Sequence, residues 1–195
     1  MNKRVILAIT GASGAILGIR ALQLLKEAGV ETHLVVSLDG RSTIALETDW
    51  KIEEVFSLAD VVYEPQDTGA AIASGSFVTH GMLVVPCSVK TLSAIASSFT
   101  HNLVVRAADV CLKEGRPLVL AVRETPLHAG HLRLMTQAAR SGAVIFPPIP
   151  AFYGKPQTVE DITTSTVARM LLRLGIDTPH YFHWEGKKPD ASQGG

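Results

Sequence analysis

Val5-Ile6-Leu7-Ala8-Ile9-Thr10-Gly11-Ala12-Ser13-Gly14-Ala15 is the stretch that decides the fold. An apolar run that ends in glycines and opens into a helical pattern reads as strand, tight turn and helix start. The helix is predicted by Leu17, Ala21, Leu24, Leu25 and Ala28, which share one stripe at helical spacing. N–H groups at such a turn point outward, and the helix dipole adds positive potential. Small residues let an anion approach that backbone closely. The turn is therefore a candidate cradle for a nucleotide or flavin phosphate. Gly11 and Gly14 do not complete the G-x-G-x-x-G dinucleotide fingerprint. By themselves they also fit a turn that binds nothing.

Outward from this stretch, apolar runs and helical patterns alternate. Strands are predicted at 5–9, 33–37, 82–86, 118–122 and 143–146. They are short, nearly continuous and rich in Val, Ile and Leu, as strands buried on both faces are. Helical patterns lie near 14–28, 41–48, 89–98, 103–114 and 129–140, with a last helix over 159–174. Thr158 and Asp161 form a capping-box-like start to that helix. The alternation predicts a doubly wound parallel sheet, Rossmann-like or flavodoxin-like, with helices on both faces. One α/β domain is expected over 1–185, and the polar segment 186–195 is expected to be disordered.

Composition narrows the function classes. The chain has 195 residues, 47% of them hydrophobic and only 18% charged, so it can bury a large core. Surface this apolar points to coverage by further copies of the chain. Eighteen basic residues balance eighteen acidic ones, and no dense basic run suggests nucleic acid. No apolar stretch is long enough to cross a membrane. The apolar run after Lys3 and Arg4 breaks at the glycine turn, which fits a strand better than a secretory leader. Cys87 and Cys111 lie in apolar segments and read as free buried thiols, so a cytoplasmic location is expected.

In a parallel sheet, ligands bind beyond the carboxyl ends of the strands. Residues in that position are Ser13, Ser37, Cys87-Ser88-Val89-Lys90-Thr91, Arg123-Glu124 and the 147–153 loop with Tyr153. Ser88 is placed to cap a helix and leave N–H groups for an anion. Each serine also fits a simple turn or cap, and Arg123 with Glu124 also fits an exposed pair. Arg106 and Lys113 lie seven residues apart on one side of a helix, suiting a phosphate or merely a solvated face. Arg169 flanks the buried side of the last helix and calls for an anionic partner. Glu47 fits a helix end or a site acid equally. His128 and His131 are spaced i, i+3 with no third ligand evident, so no metal is expected.

Together these junctions resemble the flavin prenyltransferase family (UbiX-type). The matching segments are 10–15, Leu46-Glu47-Thr48-Asp49, 86–93, Arg106-Ala107-Ala108-Asp109, 112–114, 116–120, Arg123-Glu124-Thr125-Pro126-Leu127 and Pro150-Ala151-Phe152-Tyr153. The resemblance spans about residues 4–185. Gly115 departs from it, standing where the family often has arginine. It implies an enzyme, metal-independent, that joins the prenyl group of dimethylallyl phosphate to N5 and then C6 of reduced FMN. The prenylated FMN serves a UbiD-type decarboxylase, often in ubiquinone synthesis, and the family suggests a homo-dodecamer.

Residue by residue, the resemblance implies that Gly11, Ala12 and Ser13 hold FMN, with Ser13 near N5. Ser37, Ser88, Val89, Lys90, Thr91 and Arg123 complete the flavin site. Lys113, Tyr153 and Arg169 grip the phosphate, with Arg106 and Arg123 as further cations. Glu47 and Glu124 handle protons, and Trp184 closes the site. Three other readings share these features: a flavin-dependent cysteine decarboxylase, a flavin-binding regulatory subunit, and a direct carboxy-lyase. The first is expected to carry a Pro-x-Met-Asn-x-x-Met-Trp segment; Pro126-Leu127-His128-Ala129-Gly130-His131-Leu132-Arg133 stands here instead.

Overall fold

The apolar runs become the strands of one six-stranded sheet in a computed structural model that describes residues 3–181 and 183. The strands are β1 (Arg4–Ile9), β2 (Glu31–Val36), β3 (Val61–Tyr63), β4 (Met82–Cys87), β5 (Leu118–Val122) and β6 (Val144–Ile145). Every neighbouring pair is parallel and the order is β3-β2-β1-β4-β5-β6. The helices are α1 (Ala15–Glu27), α2 (Leu38–Glu47), α3 (Ile52–Phe56), α4 (Val89–Ala96), α5 (Leu103–Lys113), α6 (Ala129–Arg140) and α7 (Val159–Leu172).

Alternate strand residues feed two cores, as the two-residue period of a strand requires. Leu7, Ile9, Leu34, Leu83 and Val85 face α1 and α7. Ile6, Ala8, Val84, Leu120 and Val122 face α4, α5 and α6. Gly18 makes the close approach of α1 possible: a Cβ there would stand 2.7 Å from the Val85 carbonyl oxygen.

The expected doubly wound sheet is therefore present, and its five predicted strands are all found. The 3-2-1-4-5-6 order is the Rossmann one. β3 is the addition. It has three half-buried residues on the sheet edge, too short to show a period. The five-residue α3 and a 3₁₀ turn at Ala71–Ala73 escape prediction for the same reason. Among the described residues no helix is long and apolar enough to cross a membrane. Trp184 and the 186–195 segment lie outside the described residues.

Candidate active site

The strand order reverses between β1 and β4: from β1 the chain goes to β2 on one side, and from β4 to β5 on the other. The crevice beyond such a switch point is where open α/β sheets bind ligands. Thr10 ties its two walls together and is 1% exposed. Its hydroxyl donates to the Pro86 carbonyl at 2.8 Å and accepts the Ser88 N–H at 2.9 Å. Gly14, with φ 102°, turns the chain into α1. A Cβ on Gly11 would overlap that of Asp39 at the start of α2, so glycine is needed there.

Three helices begin at this crevice. The Ser37 hydroxyl accepts the Gly40 N–H at 3.0 Å and caps α2. The Ser88 hydroxyl accepts the Thr91 N–H at 3.2 Å and caps α4. The first-turn amides of Val89 and Lys90 then lack intrahelical acceptors. Lys90 Nζ bridges to Asp39 Oδ2 at 2.8 Å across the mouth.

Glu47, the last residue of α2, reaches back to α1. Its Oε2 accepts the Gly14 N–H at 2.8 Å and the Ala15 N–H at 3.1 Å. Burial pushes its carboxyl pKa upward. The Ser13 hydroxyl, these two amides and the charge of Arg123 outweigh that and hold it below the ordinary value. Arg123 leaves the end of β5, its N–H bonded to the Cys87 carbonyl at 3.1 Å. Ser13, Glu47 and Arg123 are thus brought near one another from three separate segments. Glu124 is exposed beside them, and its Oε1 accepts the Thr125 N–H at 3.0 Å.

A cavity of about 400 Å³ opens between α7 and the loop after β6. Tyr153 and Arg169 line it, together with Arg20, Lys155, Glu160 and His180. The Arg169 guanidinium lies over the Tyr181 ring, 5.6 Å from its centre. Among the described residues no carboxylate pairs with it.

Residues 1–171 match the family model described as Flavoprotein. The chain is 57% identical over 187 residues to flavin prenyltransferase UbiX of Salmonella typhimurium, covering 94% of this chain and 99% of that one. A crystal structure of AnUbiX (PadA1) in complex with FMN and dimethylallyl pyrophosphate superposes with a TM-score of 0.94 at 49% identity, over 96% and 100% of the two chains. A dodecameric FMN-dependent UbiX-like decarboxylase from Escherichia coli O157:H7 matches at 0.91 and 49%, over 94% and 100%. The chain belongs to the flavoprotein family, among the UbiX-type flavin prenyltransferases.

Two residues that the family resemblance assigns to the phosphate do not join the others within one chain. Arg106 and Lys113 sit on α5, under the opposite face of the sheet from α7 and Arg169. Arg106 donates to the Ala73 carbonyl at 3.1 Å and pairs with Asp109 at 3.4 Å. Lys113 pairs with Glu114 at the end of α5 that leads into β5. Arg123 lies past the other end of β5, so the strand's length, roughly 16 Å, separates the two. A helix that returns antiparallel to the strands carries its last residues away from the crevice.

Several residues of the site give little signal in the sequence. Thr10 is detectable only as the first polar residue after the strand. Arg20 stands inside the 14–28 helical pattern, and Asp39 falls just before the 41–48 one, where α2 starts three residues earlier than the pattern shows. Cys87 and Cys111 are fully buried; burial pushes their thiols up to about 12 and about 11. His128 caps α6 by accepting the Gly130 N–H at 3.0 Å, and its ring lies against that of His131 at a 35° tilt, with 3.7 Å between ring centres. Among the described residues no group of three metal-ligating side chains occurs.

Proposed function

We infer that this protein is a flavin prenyltransferase that moves a dimethylallyl group onto N5 and then C6 of reduced FMN. One observation carries the reading: Ser13, Glu47 and Arg123 converge at the switch point beside three helix N-termini. The crevice fits FMN because glycine is enforced at position 11 by the closeness of Asp39, leaving backbone amides bare to a phosphate. The relatives that match nearly the whole chain are named flavin prenyltransferases.

Reduced FMN supplies the two nucleophilic positions. The remaining steps belong to the chain. Ionising an allylic phosphate builds positive charge on carbon and negative charge on the leaving oxygen. Arg123, Arg169 and Tyr153 are assigned to that oxygen and its phosphate, where fixed donors lower the barrier. Ser13, held by Glu47, orients the reacting edge of the flavin. Ionised Glu47 serves here as an anchor more than as a proton donor. Glu124, exposed and at the strand end, is assigned as the base that takes the C6 proton. Trp184 is assigned to shield the allyl cation by cation–π attraction. Arg123, Arg169 and the Lys113 of a neighbouring copy are the three cations assigned to neutralise the leaving phosphate without a metal.

Arg106 and Lys113 are assigned to the phosphate of a neighbouring copy, since the relative from E. coli O157:H7 is dodecameric. A dodecamer in the cytoplasm, handing prenylated FMN to a UbiD-type decarboxylase, completes the reading. The test is anaerobic incubation with reduced FMN and dimethylallyl phosphate or diphosphate, then mass spectrometry of the released flavin. A flavin heavier by one C5 prenyl unit is expected. Bound but unmodified FMN with both donors would overturn the assignment.

A further inference from the structure

Asp39 is an acid at the mouth of the crevice to which prenyl transfer assigns no task. It is the second residue of α2, and Lys90, its partner at 2.8 Å, is the second residue of α4. The strands that lead into these helices, β2 and β4, flank β1. The two helix starts therefore stand about two strand spacings apart, roughly 10 Å, and the ion pair spans the turn that ends β1. Two glycines seat its acidic side. A Cβ on Gly11 would stand 2.3 Å from that of Asp39, and a Cβ on Gly40 would stand 2.5 Å from the Ile9 carbonyl oxygen. The first turn of α2 thus presses on the end of β1 and fixes the Asp39 backbone, whereas Lys90 reaches across on a flexible four-carbon stem.

The two partners sit differently in their own helices. A helix dipole favours an acid in the first turn and disfavours a cation there. Asp39 is the acid in the first turn of α2, and the first turn of α4 has none. Lys90 thus stands against the dipole of α4, and the anion that offsets this is Asp39. The flavin phosphate is a rival for that place. At the start of α1 the anion's place is taken, because Glu47 accepts the Gly14 and Ala15 N–H groups. The first-turn amides of Val89 and Lys90 remain for a phosphate. A phosphate monoester carries about −1.5 to −2 at pH 7, so it attracts Lys90 more strongly than a carboxylate does and is repelled by Asp39. With Lys90 72% and Asp39 62% exposed, their pair is weak enough to exchange for it.

We propose that Asp39 is a positioning residue that competes with the flavin phosphate for the Lys90 ammonium and so speeds the release of prenylated FMN. The proposal rests on the prenyltransferase reading, in which the product serves a second enzyme. An enzyme that keeps its flavin gains by holding it tightly, whereas one that hands the flavin on must let it go. Asp39 touches no reacting atom. It draws Lys90 back across the turn as the phosphate leaves, and its charge lowers the hold of the crevice on an anion.

The test is the rate at which FMN leaves the full chain, followed by flavin fluorescence on dilution. Asp39→Asn is expected to slow that rate about three- to tenfold. Asp39→Ser, which also suits a first helical turn, should match it, and Asp39→Glu, which keeps the charge, should stay within about twofold of wild type. Riboflavin lacks the phosphate and should leave wild type and Asp39→Asn at rates within about twofold of each other. A merely structural change of the crevice would move both flavins alike. In a Lys90→Met background the effect of Asp39→Asn on FMN should shrink below about twofold, since exposed charges without a bridging partner are screened. Equal release of FMN from wild type and Asp39→Asn, equal slowing of both flavins, or an undiminished effect without Lys90 would overturn the role of Asp39. Failure of the wild type to prenylate bound FMN defeats the enzyme assignment instead.

Discussion

Replacing Glu47 by Gln isolates what its charge does at the start of α1. The carboxylate accepts two backbone amides, Gly14 at 2.8 Å and Ala15 at 3.1 Å. A glutamine oxygen can keep one or both bonds, so shape survives and charge is lost. An anion at a helix N-terminus contributes about 0.3–1 kcal/mol when exposed and up to about 2 when partly buried. Glu47 is exposed, so a loss of about 0.3–1 kcal/mol is expected, or roughly 1–4 °C in Tm for a chain of this size.

The pH dependence comes from the direction of the shift. Folding holds the Glu47 carboxyl below its ordinary value of 4.5 despite burial. The contribution is therefore present in full above about pH 4.5 and is lost as pH falls through the lower folded value. Thermal unfolding of wild type and Glu47→Gln, from pH 7 downward, checks this. The gap should be widest near neutrality and close in acid. A gap of unchanged size at pH 3, or a more stable glutamine variant at pH 7, would refute the charge argument.

Glu124→Gln is expected to leave FMN binding intact but block closure of the new ring, read in the absorbance of the released flavin; normal closure would remove Glu124 as the base. Thr10→Val should cost about 1 kcal/mol in denaturant unfolding, because it strips a partly buried amide of its acceptor, and should weaken FMN binding as the crevice walls part. Cys87 and Cys111 should resist thiol reagents at pH 8 in the folded protein and react fully only in denaturant, since burial lifts their pKa values to about 12 and about 11. Mixing inactive Lys113→Met with inactive Arg169→Met and allowing subunits to exchange should restore part of the activity; no restoration would place both residues in the same copy's site.

The fold is legible because it rests on local signals. Val5–Ile9 and Leu118–Val122 are apolar throughout, and both are strands buried on two faces. Ser88 before Thr91, and Thr158 before Asp161, announce helix starts, and both caps are formed. Convergence of Ser13 and Arg123 at the switch point is implied by the strand-end rule alone. Contacts between elements distant in sequence leave no such trace. Nothing near Glu47 says that it caps a helix 32 residues upstream, and nothing near Arg20 says that Thr164 will hold it. β3 shows the limit within local structure, because three residues on a sheet edge carry too little period to count.

Arg106 and Lys113 show why residue type and spacing do not suffice to build a site. Both do lie on one helix, as their spacing predicts, yet α5 returns along the outside of the sheet. In a doubly wound sheet the crevice receives the residues just past the strand ends, whereas the residues at helix ends go to the opposite edge. Lys113 ends α5, Arg123 lies just past β5, and no rearrangement short of unfolding brings them together in one copy. If both serve one phosphate, a second chain must supply one of them. The exposed Leu46, Phe99, Ile149 and Phe152, each more than half open to solvent, offer apolar surface for such contacts. Assembly would then be part of the chemistry, and activity should fall with dissociation even where FMN stays bound.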